Sequence, residues 1–152
     1  MHKNIGPALK SAKTLNHVRE ELIKLFKVTK NGKTTKVGYV AGVMYSEGLE
    51  FAQTNLKKLS SHAEKLRKTL DFPMFTAVDV FPPEVYKNLE EWELPFDRRE
   101  AKVRDFWRQI LKSGHITDIF MTPRWDKSKG ATDEHKTAKE IGLRIHYIEA
   151  PH

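Results

Sequence analysis

The chain contains no cysteine. That excludes disulfides and thiolate metal sites, and it makes a cytoplasmic setting the expectation. No apolar run approaches the ~20 residues needed to cross a bilayer, so no membrane partner is expected. Residues Met1 to Lys13 are polar and basic, without the apolar core of a signal peptide. Neither GxGxxG nor GxxxxGK[ST] occurs, so the dinucleotide and nucleoside-triphosphate fingerprints are missing. The seven histidines are dispersed, and no pair has zinc-ligand spacing beside a carboxylate pair. Neither a metal nor a cofactor is expected, and no Ser/His/Asp arrangement stands out.

What is present suits one domain over residues 1–152. Lys and Arg number 27 against 20 Asp and Glu, a net charge of +7. The excess favours anionic partners, but the lysines are scattered rather than gathered in one run, which argues against a nucleic-acid partner. Leu15, Val18, Leu22 and Leu25 recur at steps of three and four, so Ala8 to Lys27 reads as a helix within an N-terminal helical extension, residues 1–30. Lys30 to Lys33, with Asn31-Gly32, reads as a turn. Lys36 to Tyr45 is an apolar run of the kind found in strands covered on both faces. A long stripe from Leu49 to Leu70 gives the clearest helix. Met74 to Pro83 reads as a second strand, stopped by Pro82 and Pro83. Residues 84–97 are acidic and aromatic without a period. Arg98 to Lys112 reads as a helix ended by Gly114, with Val103, Phe106, Trp107 and Ile110 inward. A strand follows at Asp118 to Pro123, then a short helix from Thr132 to Ile141 closed by Gly142, then a strand at Leu143 to Glu149.

Alternating strands and helices of this kind predict an α/β fold. The expected form is a Rossmann-like three-layer sandwich with a mainly parallel sheet of at least four strands, plus an extra N-terminal helix. Such sheets bind ligands outside the carboxyl ends of their strands. Gly42 to Ser46, Phe81 to Pro83 and Thr122 to Thr132 meet at that end. On the last helix Glu134, Ala138 and Ile141 share a face at spacings of four and three. Ala138 and Ile141 should face the sheet, which sets Glu134 in the first turn at the rim of the crevice. There it either complements the helix dipole or serves as an ionised nucleophile.

The spacing Gly130-x-x-x-Glu134-x-x-x-Ala138-x-x-x-Gly142 resembles the signature of the nucleoside 2-deoxyribosyltransferase-like family. Tyr39-x-Ala41-Gly42 is similar to that family's first strand, Phe81-Pro82 to the end of its second, and Asp118 to the start of its third. The likeness covers residues 36–149. Ser128-Lys129-Gly130 before Glu134 resembles the deoxynucleoside 5'-monophosphate N-glycosidase branch, where base-exchanging transferases carry Asp in place of Ser128. The resemblance implies Glu134 as the nucleophile on the anomeric carbon, oriented by Tyr39, with Asp105 as a supporting carboxylate. It implies substrate contacts at Gly42, Ser46, Ser128, Lys129 and Gly130. It also implies a homodimer or larger assembly. Val43 and Tyr45 depart from the family, which has Ser and Arg there to grip phosphate, and Asp105 lies further upstream of Asp118 than the family pattern places it. Asp118 itself, at the amino end of its strand, is expected to be structural.

The implied activity is hydrolysis of the N-glycosidic bond of a (deoxy)nucleoside 5'-monophosphate. Phe81, Trp92 and Trp125 are candidates to stack on the base, and the leaving-group acid is unassigned. The alternatives are base exchange by a nucleoside 2-deoxyribosyltransferase, a non-catalytic nucleotide-binding module of the same fold, and nucleic-acid or partner docking through the basic N-terminal helix.

Overall fold

The computed structural model describes residues 1–30, 36–44 and 49–149. The expected turn at Asn31-Gly32, and Tyr45 and Ser46, lie outside the described residues.

Four strands form one sheet: β1 (Gly38–Ala41), β2 (Met74–Thr76), β3 (Asp118–Met121) and β4 (Arg144–Tyr147). Their order is β2-β1-β3-β4, and every pairing is parallel. The expected α/β, Rossmann-like parallel sheet is therefore what forms. Side chains alternate across it. Tyr39, Ala41, Phe75, Ile119 and Met121 enter one core, and Val40, Met74 and Phe120 enter the other. This is why the first and third strands are apolar at consecutive positions: both of their faces are covered.

The second core is closed by α3 (Leu49–Thr69), whose Leu59 and Ala63 are buried against the sheet. The first core is larger. It is covered by α6 (Phe96–Leu111) and α7 (Lys129–Ile141), and also by the N-terminal helices α1 (His2–Ala8) and α2 (Leu15–Lys30). Those helices are not an appendage. Ile5, Val18, Leu22 and Phe26 are wholly buried, and Phe26 packs its ring 5.3 Å from Phe75 on β2. The single helix expected over Ala8 to Lys27 is two. Residues 9–14 separate them, and Thr14 Oγ1 accepts from His17 N–H to start the second.

Two further expectations are corrected. The strand read from Met74 to Pro83 is three residues long. Thr76 is the N-cap of α4 (Ala77–Val80), its hydroxyl accepting from Val78 N–H while Asp79 reaches back to Thr76 N–H. This reciprocal capping box outweighs the β-branched character of the segment. Residues 84–97 are also partly ordered into secondary structure. They include the end of α5 (Pro83–Tyr86) and a 3-10 turn at Glu90–Glu93. Glu91 Oε1 accepts from Leu15 N–H at 2.9 Å, and Glu90 N–H donates to the Lys13 carbonyl, so this acidic strap caps α2.

Truncating Phe26 to Ala should cost about 3–5 kcal/mol through lost transfer and cavity terms. Urea unfolding checks this. A loss under about 1 kcal/mol would show that the N-terminal helices do not share the sheet's core.

Candidate active site

Helix α7 begins at Lys129, three residues earlier than its sequence suggests, because Ser128 caps it: its hydroxyl accepts from Ala131 N–H at 3.1 Å. The carboxyl end is closed by Gly142, whose φ of 78° is the left-handed cap glycine adopts readily. Glu134 is thus the sixth residue of the helix, in the second turn rather than the first. Its face runs through Ala131, Glu134, Thr137 and Ala138, all buried. Ile141 does not join that face and is 38% exposed. It is the last residue of the helix, just before the Gly142 cap.

Glu134 is 7% exposed and Tyr39, on β1, is 2% exposed. Tyr39 Oη donates to Glu134 Oε1 at 2.5 Å. The tyrosine ring is stacked on Trp107 of α6, with centroids 4.8 Å apart, so its hydroxyl has little freedom to turn away. Burial sets the acidity of both groups. Loss of water pushes the Glu134 carboxyl from 4.5 up to about 8; the Tyr39 hydrogen bond opposes that and the neighbouring Asp133 charge adds to it. Burial, and then the Glu134 charge, drives the Tyr39 phenol well above its ordinary value of 10.0. Burial therefore works against the ionised form expected of Glu134, and the helix dipole, which acts mainly on the first turn, does little to oppose it.

Glu134 forms part of the wall of a cavity of about 490 Å³, a size suited to a small molecule. Ser128, Lys129 and Gly130 line it from the start of α7, and Glu100, Val103, Arg104 and Trp107 line it from α6. Tyr86 and Phe96 close one side. At Gly130 an added Cβ would meet only Ser128 Oγ, 3.8 Å away, so the absence of a side chain leaves cavity space open. The first-turn N–H groups of a helix have no partners within it, and they point where an anion would sit.

Asp133 also lines the cavity, but its charge is committed. Arg108 grips it with two hydrogen bonds, Nε to Oδ2 at 2.9 Å and Nη2 to Oδ1 at 2.5 Å. That pairing raises the already high Arg108 pKa further.

The sequence-derived site is thus assembled in part. Tyr39, Glu134, Ser128, Lys129 and Gly130 come together. Asp105 does not: its side chain is 61% exposed, lies 3.7 Å from Arg108, and lines a different groove beside Arg19 and Gln109. The helical phase of α6 decides this, since the cavity takes positions 100, 103, 104 and 107. Gly42 lies outside the cavity lining as well. A Cβ there would fall 2.0 Å from Thr122 Oγ1, whose hydroxyl donates to the Ala41 carbonyl at 2.9 Å. Gly42 lets β1 and β3 close at their ends. Of the proposed base-stacking aromatics, Phe81 is core, Trp92 packs on Tyr86 and Arg99, and Trp125 stacks on His135. Tyr86, Phe96 and Trp107 line the cavity in their place. Asp118 is structural in its contacts, accepting from Thr117 Oγ1 and bridging to His146 Nε2, each at 2.7 Å.

Sequence reasoning missed Glu100 and Arg104. The signal was the spacing 100-103-104-107 around the inward Val103 and Trp107, which carries two charges onto the edge of an apolar face. Among the described residues no cluster of three or more His, Asp or Glu is placed to hold a metal, and no helix is long and apolar enough to cross a membrane.

A carboxyl raised to about 8 contributes to stability with a definite sign. Between 4.5 and about 8 the folded state keeps a proton that the unfolded chain has lost, so stability falls as pH rises through that window and levels above it. Glu134→Gln keeps an acceptor for Tyr39 and removes the titration. Comparing urea midpoints of both proteins at low and high pH should show the variant gaining on the wild type by up to about 5 kcal/mol as pH rises. A difference that does not vary with pH would show that Glu134 titrates normally.

In comparison with known proteins, no family model, curated protein or solved structure matches this chain.

Proposed function

We propose that this protein hydrolyses the N-glycosidic bond of a (deoxy)nucleoside 5'-monophosphate through a covalent glycosyl ester on Glu134. One observation carries the reading: a buried carboxyl, held by a buried tyrosine, sits in a ligand-sized cavity that also receives a helix N-terminus. Phosphate would be held by Ser128, Lys129, the N–H groups that open α7, and Arg104 from the facing helix. The base would lie against Tyr86, Phe96 and Trp107, which offer flat apolar surface. Glu134 then attacks C1' as the base departs with the bonding electrons. Water cleaves the resulting ester and returns the carboxylate.

The acidity of Glu134 fits this chemistry if ionisation precedes attack. The transition state carries positive charge near C1', which a carboxylate stabilises strongly in a dry cavity. Tyr39 supports that anion by donation. In the resting protein the proton stays on Glu134 at neutral pH, so kcat/KM should climb about tenfold per pH unit and level off above about 8. A second reading rests on the same observation. A protonated Glu134 can donate a hydrogen bond to a ligand, as in a non-catalytic nucleotide-binding module. The reading also includes a homodimer or larger assembly, with a second copy closing the cavity beside Phe96, which is 65% exposed; sedimentation would report its mass.

Incubation with each deoxynucleoside monophosphate, followed by chromatography for free base, is the deciding assay. Release of base should drop by roughly a thousandfold or more in Glu134→Ala. Tyr39→Phe should move the rise in kcat/KM to higher pH, because it removes the hydrogen bond that favours the anion. No base from any monophosphate, with nucleotide binding intact in Glu134→Gln, would select the binding-module reading. Base release together with incorporation of an added free base would select the transferase.

A further inference from the structure

Asp133 and Glu134 follow one another on α7, and both line the cavity of about 490 Å³. The Asp133 side chain is only 14% exposed. A bare carboxylate in such a place opposes ionisation of its neighbour, because little water lies between them to screen the repulsion. The fold does not leave it bare. Arg108 reaches across from α6 and holds both of its oxygens, Nε to Oδ2 at 2.9 Å and Nη2 to Oδ1 at 2.5 Å. A two-point grip of this kind fixes direction as well as charge, so anion and cation stay together beside Glu134.

The charged and titratable groups around Glu134 come from several elements. Tyr39 on β1 donates to it. Glu100 and Arg104 of α6 and Lys129 of α7 line the same cavity but are exposed, so water screens them. Asp126 and Lys127, in the turn before α7, are exposed as well. Asp105 lies 3.7 Å from Arg108 with 61% of its side chain in solvent. The remaining groups on and behind α7 look elsewhere. Asp118 bonds His146, and Tyr147 bonds His135, which stacks on Trp125. The Asp133–Arg108 pair is therefore the set of full charges held in fixed geometry next to Glu134. Loss of water is the main cause that carries Glu134 up to about 8, Tyr39 opposes it, and the Asp133 charge adds to it. Arg108 sets a charge of opposite sign against that last contribution.

We propose that Arg108 and Asp133 are positioning residues that set how readily Glu134 ionises: the guanidinium compensates the Asp133 charge and so keeps the neighbouring carboxyl within reach of its anionic form. The use of that anion in catalysis rests on the hydrolytic reading above, whereas the charge relation stands without it.

The test follows Glu134 itself. In protein labelled with carbon-13 at the glutamate carboxyls, the resonance missing from Glu134→Gln belongs to Glu134, and its titration needs no substrate. Asp133→Asn keeps the shape and leaves the Arg108 cation, so the midpoint should fall by about one pH unit. Arg108→Gln can still donate a hydrogen bond to Asp133 but leaves it a bare anion, so the midpoint should rise by about one unit. Arg108→Lys restores the charge without the fork and should reverse most of that rise. The double variant, Asp133→Asn with Arg108→Gln, carries neither charge and should lie between the two single variants. A pair that served only to join α6 to α7 would act differently. Breaking it from either side would loosen the contact, admit water and lower the midpoint in both single variants. Thermal unfolding checks that each variant is folded. The alkaline rise in kcat/KM for base release should move with the midpoint, so the rate at pH 7 should increase about tenfold in Asp133→Asn and fall about tenfold in Arg108→Gln. The proposal is overturned if the two single variants shift the Glu134 midpoint in the same direction or leave it in place. Opposite shifts with no base released from any monophosphate would uphold the charge relation and remove the hydrolytic reading. Base release with unmoved midpoints would do the reverse.

Discussion

The hydrogen bond between Tyr39 and Glu134 is the constraint around which the site is organised. A carboxyl and a phenol are both removed from water on the inner side of a parallel sheet, and each is the other's partner. Burial without a partner would cost several kcal/mol for either group. The pairing offsets much of that, but it leaves the proton on Glu134 at neutral pH. The carboxylate, once formed, is poorly solvated and has the Tyr39 hydroxyl as a close donor. The stack of Tyr39 on Trp107 fixes that donor, so α6 shapes the site through packing as well as through the residues it sends into the cavity.

Adjacent carboxyls are treated oppositely by the fold. Asp133 and Glu134 are neighbours in sequence, yet one helical step of about 100° separates their directions. Asp133 meets Arg108 and is held as an ion by two hydrogen bonds. Glu134 meets Tyr39 and an apolar wall. The first is a structural anion joining α6 to α7. The second is a group that burial pushes toward its neutral form. The two faces of the sheet differ because alternate residues of β1 and β3 enter separate cores, each closed by its own helices.

Much of the architecture was legible from local pattern. Apolar runs at consecutive positions marked β1 and β3 as strands covered on both sides, and the three-four stripe marked α3 from end to end. Tyr39 and Glu134 could be named, and so could the Ser128-Lys129-Gly130 loop beside them. What was misread has physical causes. Thr76 and Asp79 form a capping box that turns a β-like segment into helix, a reciprocal side-chain effect that period counting overlooks. Asp105 was chosen by resemblance, despite a spacing that departs from the family's, but the phase of α6 turns Glu100 and Arg104 to the cavity and leaves Asp105 in solvent. The N-terminal helices read as an addition because nothing in their own period says which surface they cover.

The alternation of strands and helices, and with it the parallel sheet, was determined by the sequence alone, since it follows from local residue patterns along the chain, while Glu134 was singled out by its resemblance to a family motif. The protonation of Glu134, the aromatic wall of its cavity and the place of α1 and α2 in the core were decided only by tertiary structure. Those properties depend on dielectric and contact, which arise when segments as distant as Tyr39, Trp107 and Glu134 exclude water from one another.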